Sequence, residues 1–358
     1  MSRHIVVLAG DGIGPEVTAA AVEVLHALDV RLHLGLSFAA HAFGGAAIDA
    51  YADPFPDHVL SACRKADAIL LGAVGGPQWA NVATAIRPEA GLLRLRSELG
   101  LYANIRPLQV HPALIDASPL KAERIRDVDL IVVRELTGGI YFGTRTRSET
   151  RATDECAYTV AEVERVTRTA ATLARSRRGK LTSVDKANVL ETSRLWREVV
   201  TRVVGDEFPE LKLEHLLVDA MAMYLVSRPG DFDVIVTENL FGDVLTDECA
   251  AVSGSLGLMP SASVGDVGPG VYEPIHGSAP DIAGRGVANP YGAILSAAML
   301  LRQSLQVPAA ALALEAAVHR AITDRILTRD LGGTASTAEA TAAVIARLSV
   351  AATTIPVA

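Results

Sequence analysis

The sequence predicts an α/β protein with an open parallel sheet and more than one domain. Three observations carry that prediction. Short apolar runs of strand length alternate with stretches of helical periodicity from the N-terminus onward. Several runs end in a glycine turn or a charged residue from which a helix departs. The chain has 358 residues, 50% of them hydrophobic, which suffices for a large core and a second domain.

The elements follow in order. Residues 5–8 form a short buried strand, followed by Gly10-Asp-Gly-Ile-Gly-Pro-Glu16 and a helix through Leu28. A strand, a glycine-rich turn and a helix raise the question of a Rossmann site. The glycines, however, fall as G-x-G-x-G and miss the G-x-G-x-x-G spacing of the dinucleotide fingerprint. They read first as a tight turn, with Pro15 at the first helical position, the alternative being a loop that touches a dinucleotide phosphate directly. Residues 68–74 give another strand, ending in Gly75-Gly76-Pro77. If residues 92–97 are helical, Leu92, Leu93 and Arg96 share a face. Arg96 is then either a surface residue with a buried stem or the wall of a pocket for a ligand with anionic and apolar ends.

Arg106 and Arg134 each follow a strand-like run, a position at the lip of a sheet where α/β proteins bind ligands. Arginine holds carboxylates with a rigid fork of donors, so three arginines on three elements raise the prospect of an anion site. Leu136-Thr-Gly-Gly-Ile-Tyr-Phe-Gly143 reads as a glycine-rich extended stretch around Tyr141, and residues 148–158 as a polar arm or ribbon. Residues 159–178 are an amphipathic helix. Lys186 falls at a strand-to-helix junction, and Asp219 just beyond the strand 213–218. Phe232 and residues 234–236 form a buried strand, Asn239 to Gly242 read as a turn, and Asp243 and Asp247 follow one helical turn apart. That pair is either a divalent-cation site, for which carboxylate oxygens suit Mg²⁺ and Mn²⁺, or a first-turn charge beside a solvated one. Residues 272–284 form a long loop, and helices over 291–301, 309–326 and 336–348 close the chain.

Composition excludes other classes. The net charge is −8, and the one basic run, Arg175-Ser-Arg-Arg-Gly-Lys180, reads as a helix end, so nucleic acid is not an expected partner. Cys63, Cys156 and Cys249 are widely spaced and odd in number, giving neither a disulfide framework nor a metal motif; they suggest a reducing compartment. The first apolar run is too short for a signal sequence, and no window approaches the roughly 18 apolar residues of a membrane span. A cytoplasmic protein without membrane contact is expected.

Six collinear motifs identify a resemblance covering about residues 4–348. They are Gly10-Asp-Gly-Ile-Gly-Pro-Glu, Arg134-Glu-Leu-Thr-Gly-Gly-Ile-Tyr-Phe-Gly, Ser183-Val-Asp-Lys-Ala-Asn-Val-Leu, Val218-Asp-Ala-Met-Ala-Met, Asn239-Leu-Phe-Gly-Asp-Val-Leu-Thr-Asp and Pro274-Ile-His-Gly-Ser-Ala-Pro-Asp-Ile-Ala-Gly. Together they resemble the isocitrate/isopropylmalate dehydrogenase family of metal-dependent β-decarboxylating enzymes. The resemblance implies an open two-domain, non-Rossmann α/β fold. Its discontinuous first domain would bind the cofactor with residues 1–101 and 257–358. Residues 102–256 would carry the dimer interface, the arm and the metal-binding aspartates.

It also implies a homodimer with shared active sites and the NAD-dependent oxidative decarboxylation of 3-isopropylmalate, a step of leucine biosynthesis. Arg96, Arg106 and Arg134 would hold the malate carboxylates. Asp219, Asp243 and Asp247 would ligate Mg²⁺ or Mn²⁺, with Lys186 and Asp219 supplied by the neighbouring subunit. Tyr141 and Lys186 would be the acid–base pair, Lys186 acting near neutral pH if desolvation and nearby cations lower its pKa. His276, Gly277, Ser278, Ala279, Pro280, Asp281 and Asn289 would bind the cofactor. Asp281 would accept from a ribose 2′-hydroxyl and repel a 2′-phosphate, favouring NAD over NADP.

Leu92 and Leu93, near Glu89, suit an isopropyl group better than the third carboxylate of isocitrate. Other 3-alkylmalates, tartrate and malate are the alternative substrates, and the apolar pair argues against the last two. A non-catalytic subunit of the same fold would be expected to lack a catalytic Lys, Tyr or metal Asp, and all are present. Tyr291-Gly292, after Asn289-Pro290, departs from the smaller or more polar residues expected there.

Overall fold

The computed structural model describes residues 3–349. The chain forms two compact units: Met1–Leu95 with Leu256–Ala262 and Val267–Ala358, and Arg96–Ser255 with Ser263–Asp266.

The first unit begins with β1 (Arg3–Gly10), α1 (Gly14–Leu32) and β2 (Leu36–Ala40). It continues through α2 (Gly45–Tyr51), α3 (Asp57–Lys65) and β3 (Ala68–Ala73) into α4 (Pro88–Glu98). β1 lies between β2 and β3, parallel to both. Ile5, Val6, Leu8 and all of β3 are buried, as strands covered on both faces require, so these runs are continuously apolar. α1 buries Val17, Ala21, Val24, Leu25 and Leu28 as one stripe and runs past Leu28 to Leu32, ending where His33 turns left-handed at φ 53°.

The second unit holds β4 (Ala103–Gln109), α5 (Ala122–Ile125), β5 (Asp129–Glu135) and the short hairpin β6 (Arg145–Arg147) with β7 (Ala152–Asp154). Then come α6 (Val160–Arg175), β8 (Lys180–Asp185), α7 (Glu191–Glu207), β9 (Lys212–Leu217), α8 (Val218–Ser227), β10 (Val234–Thr237) and α9 (Asn239–Ser253). The strand order is β4-β5-β10-β8-β9. β5, β10, β8 and β9 are parallel, whereas β4 runs antiparallel to β5, which the expectation of a parallel sheet did not include. Val163, Val166 and Ala170 of α6 pack with Trp196, Val199, Val200 and Val203 of α7 and with Val234 and Val236 of β10 to form the core. Thr159 caps α6 in a reciprocal pair with Glu162, which fixes where that helix starts.

The chain returns through β11 (Pro260–Val264) to β12 (Gly270–Pro274), which lies parallel beside β3. α10 (Tyr291–Gln303), α11 (Pro308–Thr323) and α12 (Thr337–Arg347) complete the first unit. Tyr291 is fully buried and donates its hydroxyl to the Ile326 carbonyl at 2.6 Å, so its size fills core space. Gly292 is needed beside it, because a Cβ there would lie 2.8 Å from the Gly257 carbonyl oxygen.

Three local expectations are corrected. Asn239 to Gly242 are not a turn: α9 starts at Asn239, so Asp243 lies beyond the first turn. Residues 136–143 are not extended, since Gly139 at φ 74° leads a 3₁₀ turn, Gly139–Tyr141. Asp219 lies within the first turn of α8 instead of before it. The three cysteines are free thiols, and no described helix is long and apolar enough to cross a membrane.

Candidate active site

The antiparallel register pairs Asn104 with Arg134 and Arg106 with Val132. Residues two apart on a strand share a face, so Arg106 and Arg134 project from the same side of the sheet. α9 packs on that side. Its Gly242 makes the approach possible, because a Cβ there would lie 2.7 Å from Cγ of Arg134.

Arg134 is buried, and each nitrogen of its fork has one partner. Nε and one terminal nitrogen donate to Oδ1 of Asn239 at 3.0 and 2.8 Å, while the other terminal nitrogen pairs with Asp243. Asn239 is itself held, its amide donating to the Gly138 carbonyl at 3.1 Å. Arg106 donates to Oδ1 of Asn104 at 2.5 Å and to Thr246 Oγ1 at 2.6 Å. Arg96, in the last turn of α4, is buried too, and its charge reaches Arg134 and Tyr141. Leu92 and Leu93 are half-buried one turn earlier on α4, and Glu89 is exposed in its first turn. Asn239, Thr246 and Asn104 were not singled out by sequence, although two of them lie inside or beside the quoted Asn239–Asp247 motif.

Asp243 accepts the Tyr141 hydroxyl at 2.7 Å through its other oxygen. Burial raises its pKa, but the charges of Arg134 and Arg106 and the bonds from Tyr141 and Arg134 outweigh it and hold the carboxyl below its usual range. Asp247, exposed one turn on, is shifted the other way, first by partial burial and then by the charge of Asp243. Tyr141 is raised by burial, by its bond to Asp243 and by that carboxylate's charge, which keeps its proton in place.

Lys186 and Asp219 form a second cluster. Lys186 stands in the turn after β8, not on a helix, and its Nζ lies 2.6 Å from Oδ1 of Asp219. That bond lowers the Asp219 pKa. Among the described residues, no three His, Cys, Asp or Glu side chains are grouped to hold a metal ion. The aspartates are therefore divided within one chain: Asp243 and Asp247 on α9, Asp219 on α8 with Lys186.

Behind the arginines lies a group of buried acids. Glu238, next to Asn239, is pushed up to about 7 by burial and by the charges of Asp185 and Glu135. Asp185 is held by Arg197 at 2.8 and 2.9 Å. Glu135 accepts from the Thr137 and Gly138 amides at 2.8 Å each.

The predicted cofactor residues lie in the first unit, in residues 275–290 between β12 and α10. His276 turns Nδ1 toward the Gly277 carbonyl, and its Nε2 is buried without a hydrogen-bond partner among the described residues. Gly277, Pro280 and Asp281 are exposed, Ser278 and Ala279 half-buried, and Ala279 holds a left-handed φ of 37°. Asn289 is buried, donating to Asp330 at 2.9 Å and accepting the Tyr291 amide at 2.9 Å.

This sheet order, the arginine-lined sheet face and the paired aspartate helix define an α/β class without a Rossmann fingerprint. The family model described as isocitrate/isopropylmalate dehydrogenase matches residues 4–344, and the chain belongs to that family. It is 53% identical to a 3-isopropylmalate dehydrogenase of Anaeromyxobacter dehalogenans, over 98% of this chain and 100% of that one. It is 52% identical to the Bacillus subtilis 3-isopropylmalate dehydrogenase, over 92% of each. Among solved structures, an isocitrate dehydrogenase from Methylococcus capsulatus superposes with a TM-score of 0.86 at 34% identity, covering 97% of this chain and 99% of that one. A β-decarboxylating dehydrogenase from Thermococcus kodakarensis gives 0.80 at 36% identity, covering 97% and 96%.

Proposed function

We propose that the protein oxidises and decarboxylates 3-isopropylmalate to 4-methyl-2-oxopentanoate with NAD and Mg²⁺ or Mn²⁺, in the cytoplasm, as a homodimer with shared sites. The observation that carries this reading is the cationic face of Arg106 and Arg134 set against Asp243 and Asp247, with Arg96 following Leu92 and Leu93 on one helix. The arginines would bind the two malate carboxylates, and the leucines the isopropyl group, a contact worth about 1–3 kcal/mol per alkyl group.

The residues fit the groups this chemistry needs. Asp243 and Asp247 offer hard oxygen donors, and a divalent cation would relieve the repulsion felt at Asp247. The orphaned Nε2 of His276 suits a ligand atom, so His276, Gly277, Ser278, Ala279, Pro280, Asp281 and Asn289 would hold NAD on a first domain of residues 1–101 and 257–358. Bound NAD would accept a hydride, and a divalent cation would act as a Lewis acid on the oxygen of the oxidised carbon.

The chain's own groups would move the protons. Lys186 would take the substrate hydroxyl proton, with Asp219 fixing its direction. Once CO₂ leaves, Tyr141, whose proton is retained by its setting, would protonate the enolate carbon. Asp219 and Lys186 would come from the second copy, across an interface in residues 102–256. The exposed apolar side chains Val189, Leu190, Met223 and Val226 near that cluster support this pairing.

The test is NADH formation across 3-isopropylmalate, isocitrate, tartrate and malate, with and without Mg²⁺. Turnover is expected with 3-isopropylmalate and metal. Comparable turnover of isocitrate, or full activity in excess chelator, would sink the reading.

A further inference from the structure

The Gly10-Asp-Gly-Ile-Gly-Pro-Glu16 segment is a motif to which the proposed reaction assigns no role. We propose that Glu16 is a positioning residue for the cofactor, clamping the far end of the 275–290 loop while the turn before it grips the near end. This rests on the reading of that loop as the NAD-binding segment.

The loop belongs to no strand or helix. Inside it, Ile282 bonds back to Ala279 and Arg285 to Ile282. Such a segment holds its shape only if anchored from outside. At the near end the Ile13 amide donates to the Ser278 carbonyl at 2.8 Å. Gly12, at φ 59°, allows this approach, because a Cβ there would lie 2.0 Å from that carbonyl oxygen.

At the far end Glu16, in the first turn of α1, accepts the Ala288 amide at 3.0 Å and the Gly286 amide at 3.3 Å, one on each carboxylate oxygen. The Thr337 hydroxyl lies against Glu16 and against the Ala288 carbonyl, and the Thr337 amide donates to the Gly286 carbonyl at 3.0 Å. Asn289, a proposed cofactor residue, directly follows Ala288. Charge-assisted bonds to backbone amides are the stronger kind, and both oxygens are used. Glutamine could not replace this carboxylate, since its NH₂ would face a backbone N–H.

The test uses the full-length protein and compares Glu16→Gln, Glu16→Ala and Asp281→Ala with wild type, measuring the NAD dissociation constant calorimetrically and amide exchange over residues 276–289. Glu16→Gln is expected to weaken NAD about 10-fold, the equivalent of one lost charge-assisted bond. Exchange in the loop should quicken, while KM for 3-isopropylmalate moves less than about 2-fold by the same reasoning. NAD affinity and loop exchange both unchanged in Glu16→Gln and Glu16→Ala would overturn the proposal. So would an equal rise in KM for 3-isopropylmalate or an altered unfolding midpoint of matching size, which would mark a general role in folding. If Asp281→Ala leaves NAD affinity intact, the cofactor assignment of the loop falls first, and the positioning role with it.

Discussion

Replacing Glu238 by glutamine tests the buried acid group behind the arginines. Glu238 is 6% exposed, and its pKa rises from 4.5 to about 7. The causes are burial, then Asp185 and Glu135. Near it also stand the Tyr158 hydroxyl and the Cys156 thiol, which feel its charge. At about 1.4 kcal/mol per pKa unit, the rise is worth about 3 kcal/mol. The folded protein keeps this proton to a higher pH than the unfolded chain does. Between about 4.5 and 7 the folded state therefore binds more protons, and stability falls as pH rises. Below that window the group costs nothing, and above it the charged form carries its whole penalty. Glutamine matches the shape of the protonated acid and never ionises. The variant should equal wild type near the acid end of the window and exceed it by about 3 kcal/mol at mildly alkaline pH. Urea unfolding of both proteins across the window measures the difference directly. A difference that does not change with pH, or a variant weaker than wild type at alkaline pH, would refute the reasoning.

Two further outcomes follow from the proposed function. Asn239→Ala removes the acceptor of two Arg134 donors, so it should lower stability by about 2–3 kcal/mol and raise KM for 3-isopropylmalate about 10-fold with little change in KM for NAD, read by urea titration and steady-state kinetics. Lys186→Ala and Asp243→Ala, each inactive, should regain about a quarter of wild-type activity when mixed under subunit exchange, because half the dimers would hold one intact site. Lys186→Ala mixed with Asp219→Ala should regain none, and the reverse pattern would count against sites shared in this way.

Much of this was legible in the sequence where local rules and tertiary packing agree. The buried strands at residues 5–8 and 68–74 and the amphipathic helix after Thr159 are examples. The open α/β class followed from their alternation. The start of α9 was not legible, because Asn239-Leu-Phe-Gly242 has turn-like composition and its helical course is set by Arg134, which occupies the space Gly242 leaves open. The 3₁₀ turn that ends at Tyr141 was hidden for a similar reason: Gly138 and Gly139 pack against Tyr158, beyond the arm. Antiparallel β4 carries no sequence mark of its direction. The pairing of buried Asp185 with Arg197 and the raised Glu238 depend on packing that no spacing records. Asn239 and Thr246 stood in view within the motif, but polar residues beside a carboxylate pair have many possible partners, and only the fold selects the arginines.

The division of the chain has a consequence for biosynthesis. β3 ends at Ala73, yet its neighbour β12 begins only at Gly270, and α1 packs against α10 and α12, near the C-terminal end. Residues 96–255, by contrast, are contiguous and have their own core. On a ribosome the middle of the chain can close its core while the N-terminal strands still wait for partners not yet made. During that interval the edge of β3, buried along its whole length in the finished fold, is the one left unpaired, so slow translation of the last third would expose it longest.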